Sequence, residues 1–428
     1  MRVVVLGAYG LIGLEAARRL QRDGYQVIAV GRSAGTGRRV LPGADWRTLN
    51  IAGAVRVEDW RSVLDGADAV VNCAGALQTG FRDNLPAIHE AWLGVALRAA
   101  SEAGVKRFVQ VSAPGAARDA TTEFLRTKAR GDDVVRQSGI DWVILKPGLV
   151  LARAAYGGTA LLRMLAAFPL VQPVALADAP VQTVSIDDVT EAISGAVSGR
   201  IPSGTDAALV ETQSHRLADI LLGIRRWLGI ARPRAVVDAP AWMLKVTSAI
   251  ADLLGWLGWR SPLRSTALRV LQNGVVAEPQ EGERLLGRPL LSFEETLRAN
   301  PSTPQDRLAA RIALLMPIAI AMLAVFWLLS GLIAFLRYDD ALTVAARAGL
   351  PGWTVSAGIA ADILLGLAIL VRPLAKSAAL GMIVVTMLYL IAGSIVAPAF
   401  WLDPLGVYLK TLPGAVLALL VLPLLGTR

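Results

Sequence analysis

Arg2–Leu20 reads RVVVLGAYGLIGLEAARRL. Its β-branched start, Arg2–Leu6, predicts a short buried strand. Gly7, Gly10 and Gly13 follow in the turn GAYGLIG. Leu14–Gln21, rich in Ala, Glu and Arg, then predicts a helix. Gly24 ends that helix, and Gln26–Val30 is the next apolar strand. The unit is strand, glycine turn, helix, strand within about 30 residues. Gly7 permits the tight turn out of the strand. Gly10 lets backbone approach a diphosphate, and Gly13 lets the helix pack close to the sheet. The helix N-terminus presents free N–H groups and a positive dipole end to an anion.

The second strand runs into Gly31-Arg32-Ser33, with Arg38 and Arg39 soon after. In a dinucleotide fold an acidic residue at this point meets the ribose 2′-OH of NAD. A guanidinium suits a 2′-phosphate, so Arg32 favours NADP(H) over NAD(H). Further strands are expected at Ala69–Asn72, leading into Cys73-Ala74-Gly75, at Phe108–Val111, leading into Ser112, and at Trp142–Leu145, leading into Lys146-Pro147-Gly148. Helical stretches such as His89–Gly104 lie between them. Alternating strands and helices predict an α/β, doubly wound parallel sheet, with ligands at the strands' C-terminal ends.

The chain of 428 residues is 54% hydrophobic and only 18% charged. Its mean hydropathy is +0.51. An ordinary soluble domain carries about 25% charged residues, so part of this chain is built for another solvent. Residues 1–306 carry 35 Lys+Arg and 30 Asp+Glu; residues 307–428 carry 8 and 4. Disorder, collagen-like repeats and a disulfide scaffold are excluded by composition. The basic balance has no basic run or stripe behind it, so phospholipid rather than nucleic acid is the expected anionic neighbour. The lone Cys73 fits a reducing cytosol. Met1–Leu6 meets Gly7 before an apolar h-region forms, so a signal peptide is not expected.

Four apolar segments mark the last quarter: Ile312–Leu336, Trp353–Val371, Ser377–Leu402 and Thr411–Thr427. Each is near the length of about 20 residues that crosses a bilayer, which predicts an all-α four-helix transmembrane bundle over 307–428. Arg307, Arg311, Arg372, Lys376 and Arg428 flank one side; Arg337, Arg347 and Lys410 flank the other. The excess puts both ends on the cytoplasmic side. The expected location is a bacterial-type inner membrane, multi-pass, with the α/β domain in the cytoplasm. Asp362 falls mid-span, as a proton relay or polar wall of a quinone or lipid site, or as a neutral group bonded to a neighbouring helix.

Pro240–Trp259 (PAWMLKVTSAIADLLGWLGW) has two readings: a buried lobe helix, with Leu244, Ile250, Leu254 and Leu257 on one side, or a helix lying in the membrane interface. Asn300–Gln305 reads as a linker. Of the two histidines, His89 and His215, neither belongs to a cluster with metal-ligand spacing, so no metal is expected. His89 has two readings, a residue of a helix start facing the cleft or a structural or surface residue, of which the second is expected. Asp187–Asp188 reads as a loop or helix cap before Val189–Ala196 rather than as a general base.

GAYGLIG, VVNCAG, KRFVQVSA, ILKPGLV and VQTVSIDDV together resemble the short-chain dehydrogenase/reductase superfamily in its atypical and extended branches. The likeness covers 1–210 as an NAD(P)-binding Rossmann domain. It extends through SPLRSTALRVLQNGVVAEP and LLGRPLLSFEETL as a C-terminal substrate lobe over 211–300, followed by a linker at 301–306. The tail, 307–428, resembles a DoxX-like membrane domain. The combination is similar to bacterial membrane-anchored reductase-like proteins, and the soluble part to the 39 kDa subunit of respiratory complex I. The resemblance implies that Gly7, Ala8, Tyr9, Gly10, Leu11, Ile12 and Gly13 cradle the diphosphate and that Arg32 meets the 2′-phosphate. It implies that Asn50 and Ile51 lie by the adenine, Ala74 and Gly75 by the cofactor ribose, and Pro147 by the carboxamide. Lys128 would hold the nicotinamide ribose and, with Ser112, form the catalytic pair. The superfamily's Tyr, four residues before that Lys, is here Phe124, which exchanges no proton. Tyr156 is a distant substitute from the loop after Pro147.

Two functions follow as expectations. One is a membrane-anchored, NADP(H)-binding oxidoreductase passing reducing equivalents to a quinone or other lipid-soluble acceptor. The other is a non-catalytic NADP(H)-binding sensor or assembly subunit docked on a membrane complex. A lipid or isoprenoid carrier built on Asp362 is a third, with less behind it.

Overall fold

The structure is a computed structural model and describes residues 1–76, 84–259, 265–404 and 406–425. The chain forms two compact units: Met1–Asp252 with Ser261–Ala310, and Leu253–Arg260 with Arg311–Arg428. Of the features read from sequence, Ser261–Arg264 and the terminal Gly426–Arg428 lie outside the described residues.

The first unit is built on seven parallel strands: β1 (Arg2–Leu6), β2 (Gln26–Gly31), β3 (Asp45–Thr48), β4 (Ala69–Asn72), β5 (Arg107–Val111), β6 (Asp141–Pro147) and β7 (Thr205–Leu209). Their order is β7-β6-β5-β4-β1-β2-β3. β1 lies between β2 and β4, with Val4 opposite Ile28 on one side and Val70 on the other. The order reverses at β1, which opens a crevice beyond the C-terminal ends of β1 and β4. Side chains alternate along β1. Val3 and Val5 enter the core formed with α1 (Leu11–Arg22), while Val4 and Leu6 enter the opposite core with Trp60, Trp92 and Phe108. Burial on both faces explains why the inner strands read as unbroken apolar runs.

β3 and β7 were not anticipated. β3, DWRT, is an edge strand that buries only Trp46. Asp187–Asp188 corrects a second expectation. The cap of α3 (Ile186–Ser198) is Ser185, whose hydroxyl accepts from the Asp187 N–H. Asp188 is fully buried, bonded to the Arg288 guanidinium at 2.6 Å and to the Leu291 N–H at 2.9 Å. Its charge is therefore neutralised in place. Beyond β7, Leu217–Trp227 and Phe293–Ala299 pack with Val174, Val181 and Leu162 in a third core. The stretch read as a linker is shorter than expected, because a helix already begins at Pro304.

α4 (Ala241–Trp256) follows in the chain. The second unit holds α5 (Pro304–Leu336) from Arg311 onward, α6 (Trp353–Ala368), α7 (Arg372–Val396) and α8 (Leu412–Leu424). α5 and α7 are long and apolar enough to cross a membrane; α6 and α8 are apolar but have 16 and 13 residues. A short helix, Tyr338–Arg347, was not expected. Only 22% of the most apolar stretch of α5 or α7 is buried inside the protein, so their apolar surface faces outward, as in lipid. Small residues line the contacts: Ala375, Ala378 and Ala379 on α7 and Ala418 on α8. Close approach through small residues is how helices associate where lipid removes the hydrophobic drive. Asp362 accepts from Ser330 Oγ of α5 at 2.6 Å and from Tyr389 OH of α7 at 3.2 Å. Of its two readings, the one bonded to neighbouring helices matches this geometry.

Candidate functional site

The glycine turn leaves β1 through Gly7, whose φ is +72°. A Cβ there would stand 2.9 Å from the Ala74 backbone and would also force a strained backbone conformation. A Cβ on Gly13 would overlap the Gly7 carbonyl oxygen. Gly10 is the N-cap of α1, with no side chain over the helix end. The N–H groups that begin α1 are therefore uncapped by any side chain, as a backbone cradle for an anion requires.

Tyr9 links this turn to the next loop. Its hydroxyl accepts from the Arg32 N–H at 3.0 Å, and its ring stacks on Trp46 with centroids 6.1 Å apart. Gly31 is required beside it, since a Cβ would meet the Tyr9 ring. Arg32 is exposed at the C-terminal end of β2, one residue before Ser33 caps Ala34–Val40. Arg38 and Arg39 are exposed on that helix. Asn50 caps the turn Ile51–Gly53 beyond β3.

The other half of the crevice is set by α2 (Glu123–Arg136), capped by Thr122. Lys128 is buried, and its Nζ donates to the Val111 carbonyl at 2.9 Å. Burial pulls the Lys128 ammonium below its ordinary range, and the nearby Asp132 opposes this. A Cβ on Gly75 would lie 3.4 Å from Lys128 Nζ and 3.7 Å from His89 Nε2. Gly75 is thus the open step on which the lysine and the histidine converge. Asp132, one turn beyond Lys128, accepts from Ser112 Oγ at 2.5 Å. Its other oxygen is buried without a hydrogen-bond partner among the described residues. Burial raises the Asp132 carboxyl above its usual range, against the lowering by Ser112 and Lys128. The Cys73 thiol, at the end of β4, is pushed up to about 12 by burial.

His89 is buried, which corrects the surface reading. Thr127 Oγ1 donates to the Phe124 carbonyl at 3.0 Å and so accepts from His89 Nδ1 at 2.8 Å. His89 Nε2 accepts from the Ala76 N–H at 3.2 Å. The ring is therefore neutral with its proton on Nδ1, and burial holds its pKa down at about 2. No local pattern in the sequence marks it. The signal lies in partners 13 and 38 residues away.

Most of the residues expected at the site thus sit at the C-terminal ends of β1, β2, β4, β5 and β6, with Asn50 and Ile51 in the turn beyond β3 and Lys128 on α2. Gly7 and Ala74 meet directly, and Lys128 meets Gly75. Pro147 ends β6 and is buried, paired with Leu209. Tyr156 is the exposed N-cap of Gly157–Ala166. Among the described residues no His, Cys, Asp and Glu cluster has the arrangement of a metal site.

Two known families match parts of this chain. Residues 7–165 match the NAD(P)H-binding family, and residues 324–419 the DoxX-like family. The photosystem II assembly factor Ycf39 of Synechocystis sp. is 28% identical over 149 residues, 34% of this chain and 44% of that protein. Ceramide reductase of Caulobacter vibrioides is 22% identical over 245 residues, 55% of this chain and 72% of that one. The chain spans less than half the length of Ycf39. The NADPH-dependent quinone oxidoreductase of Escherichia coli, solved with NADPH, superposes with a TM-score of 0.53 at 17% identity. That superposition covers 70% of this chain and 99% of that one, and it is a likeness of fold.

Proposed function

We propose that this chain, an NAD(P)H-binding Rossmann domain joined to a C-terminal DoxX-like membrane domain, is a membrane-anchored oxidoreductase that uses NADP(H) and a lipid-soluble acceptor such as a quinone. The observation that carries the reading is the meeting of both halves of the crevice on one two-residue step. The glycine turn abuts Ala74, and the buried Lys128 ammonium abuts Gly75. The bare cradle over α1 fits a diphosphate, so the residues present fit the nicotinamide dinucleotide. When bound, that cofactor supplies a hydride. Gly7–Gly13 hold its diphosphate by backbone N–H groups. Arg32 pairs with the 2′-phosphate, Asn50 and Ile51 flank the adenine, Ala74 and Gly75 bear on the ribose, and Pro147 closes the nicotinamide end. Lys128 would donate to the ribose hydroxyls, with the nearby Asp132 opposing the pull of burial on its ammonium.

Phe124 leaves the site without the phenol that protonates a carbonyl oxygen, and Ser112 is committed to Asp132. Both favour an acceptor that takes its protons from water or lipid headgroups, as a quinone does. The likeness to ceramide reductase supports a lipid-borne substrate, and the apolar helices support delivery from the bilayer. The proposed placement is a bacterial-type inner membrane, multi-pass, with the Rossmann domain in the cytoplasm. The same Phe124 also favours a second reading: a non-catalytic NADP(H) sensor or assembly subunit, to which the likeness to Ycf39 lends weight.

The test uses the full chain in nanodiscs. NADPH is added first, then a short-chain quinone, with cofactor fluorescence and nicotinamide absorbance followed together. Enhanced fluorescence with steady loss of absorbance is expected. Enhanced fluorescence with constant absorbance across a quinone panel would favour the sensor, and no change in fluorescence would overturn both readings.

A further inference from the structure

α4 turns its large apolar side chains outward. Trp242, Val246, Ile250, Leu253 and Trp256 are exposed by 67, 51, 53, 63 and 63%. At about 100° per residue these five fall within an arc of about 120°. Among the described residues of the helix, Ser248, Ala251 and Gly255, all small, are the ones it buries. A helix serving a water-soluble core has the opposite arrangement, with large residues inward and charge outward. This corrects the buried-lobe reading and the grouping on Leu244, Ile250, Leu254 and Leu257: Ile250 is exposed and the three leucines are half-buried. A continuous stripe of this kind marks a contact surface rather than scattered surface hydrophobes.

What covers the stripe follows from where it ends. The Arg372 N–H donates to the Leu257 carbonyl at 2.9 Å, and the Trp259 indole N–H donates to the Leu370 carbonyl at 2.6 Å. The Arg372 guanidinium lies over the Trp259 ring, 5.3 Å from its centroid, and also donates to the Leu425 carbonyl at 2.7 Å. Leu370–Arg372 joins α6 to α7, and Leu425 ends α8. The chain leaving α4 is therefore tied to the ends of three apolar helices of the second unit, where Arg372 and Lys376 begin α7. A tryptophan at each end of the stripe suits the headgroup layer, where an indole is apolar in body and polar at its N–H.

We propose that α4 is a membrane-surface helix. Its stripe Trp242–Trp256 is sunk into the headgroup–acyl boundary of the phospholipid bilayer, at the end of the apolar helices marked by Leu370–Arg372. The proposal needs neither cofactor nor turnover, so it stands or falls apart from the proposed function.

The test places an environment-sensitive NBD label on Ile250→Cys and, separately, Leu253→Cys, in the full chain in phosphatidylcholine nanodiscs. Both positions are exposed, so the substitutions leave packing intact. Unsubstituted chain serves as the blank for Cys73, whose raised pKa disfavours the reactive thiolate. Thr247→Cys, exposed on another side of the helix, is the internal control. Both stripe labels are expected to shift to the blue and to lose emission when the acyl chains are brominated near the headgroup, while the Thr247 label does neither. Water-like emission from the stripe labels would overturn the proposal. So would a blue shift that is insensitive to bromine and grows with protein concentration, since a second copy would then cover the stripe.

Discussion

Phe124 stands edge-on to His89, with ring centroids 5.6 Å apart and planes at 73°. The pair occupies the ground next to Lys128, four residues along α2 and hence one turn away. Phe124→Tyr adds one hydroxyl to a half-buried ring in the place where a proton donor is missing. The variant is expected to fold as the parent does and to gain NADPH-dependent reduction of small carbonyl compounds by about 10²-fold, the usual contribution of a placed general acid. Equal carbonyl reduction by parent and variant would show that proton delivery comes from elsewhere.

The same pair sets a pH signature. His89 has its folded pKa depressed to about 2 from 6.5, so the unfolded chain binds the extra proton between those values. Its contribution to stability is whole above 6.5 and is lost as pH falls toward 2. At about pH 4.5 the loss is about 2–3 kcal/mol, from roughly 1.4 kcal/mol per unit. The chain has two histidines, so selective ring labelling for NMR gives two sets of signals. One set is expected to keep the neutral, Nδ1-protonated pattern from about pH 8 to about pH 4.5. Two rings titrating near 6.5 would contradict the buried network.

Why some of this was readable from sequence and some was not follows from the range of the interactions. The strand–turn–helix of Arg2–Leu20 is a local pattern in which each glycine answers to backbone a few residues away or to a neighbouring strand end. β3 and β7 were not read because an edge strand such as DWRT has three side chains in solvent, and TDAAL lacks a β-branched run. Lys128 and Phe124 came from family resemblance, since nothing within α2 says that the Lys128 ammonium meets the Val111 carbonyl 17 residues away. The role of His89 depends wholly on tertiary partners. α4 was legible only as a choice, because composition shows that a helix is apolar but not which way its tryptophans point.

Arg32→Glu tests the cofactor preference. Replacing the guanidinium with a carboxylate sets like charges against a 2′-phosphate and offers an acceptor to a 2′-OH. NADPH affinity is expected to fall by at least about tenfold, or roughly 1.4 kcal/mol, with NADH affinity unchanged or improved. The backbone N–H that bonds to Tyr9 is kept, so the glycine turn should be undisturbed. Parallel titrations of both cofactors by fluorescence decide it, and an equal loss for the two would remove the 2′-phosphate from the argument.

Asp362 joins three apolar helices through Ser330 and Tyr389, and Gly331 lets α5 approach closely enough that a Cβ there would lie 3.0 Å from the Asp362 Cβ. Asp362→Asn keeps an oxygen to accept one of these hydrogen bonds and an N–H₂ to donate in the other's place. Its melting temperature in detergent should stay near that of the parent. Asp362→Leu leaves the Ser330 hydroxyl without its acceptor and Tyr389 with only its 3.5 Å bond to the Gly358 carbonyl, which costs about 1–3 kcal/mol and should lower the melting temperature by several degrees. If the network is only a clamp, NADPH turnover with quinone survives in the Asn variant. If Asp362 instead passes protons to a reduced acceptor, the Asn variant melts like the parent but loses turnover, because an amide holds the geometry without giving up a proton.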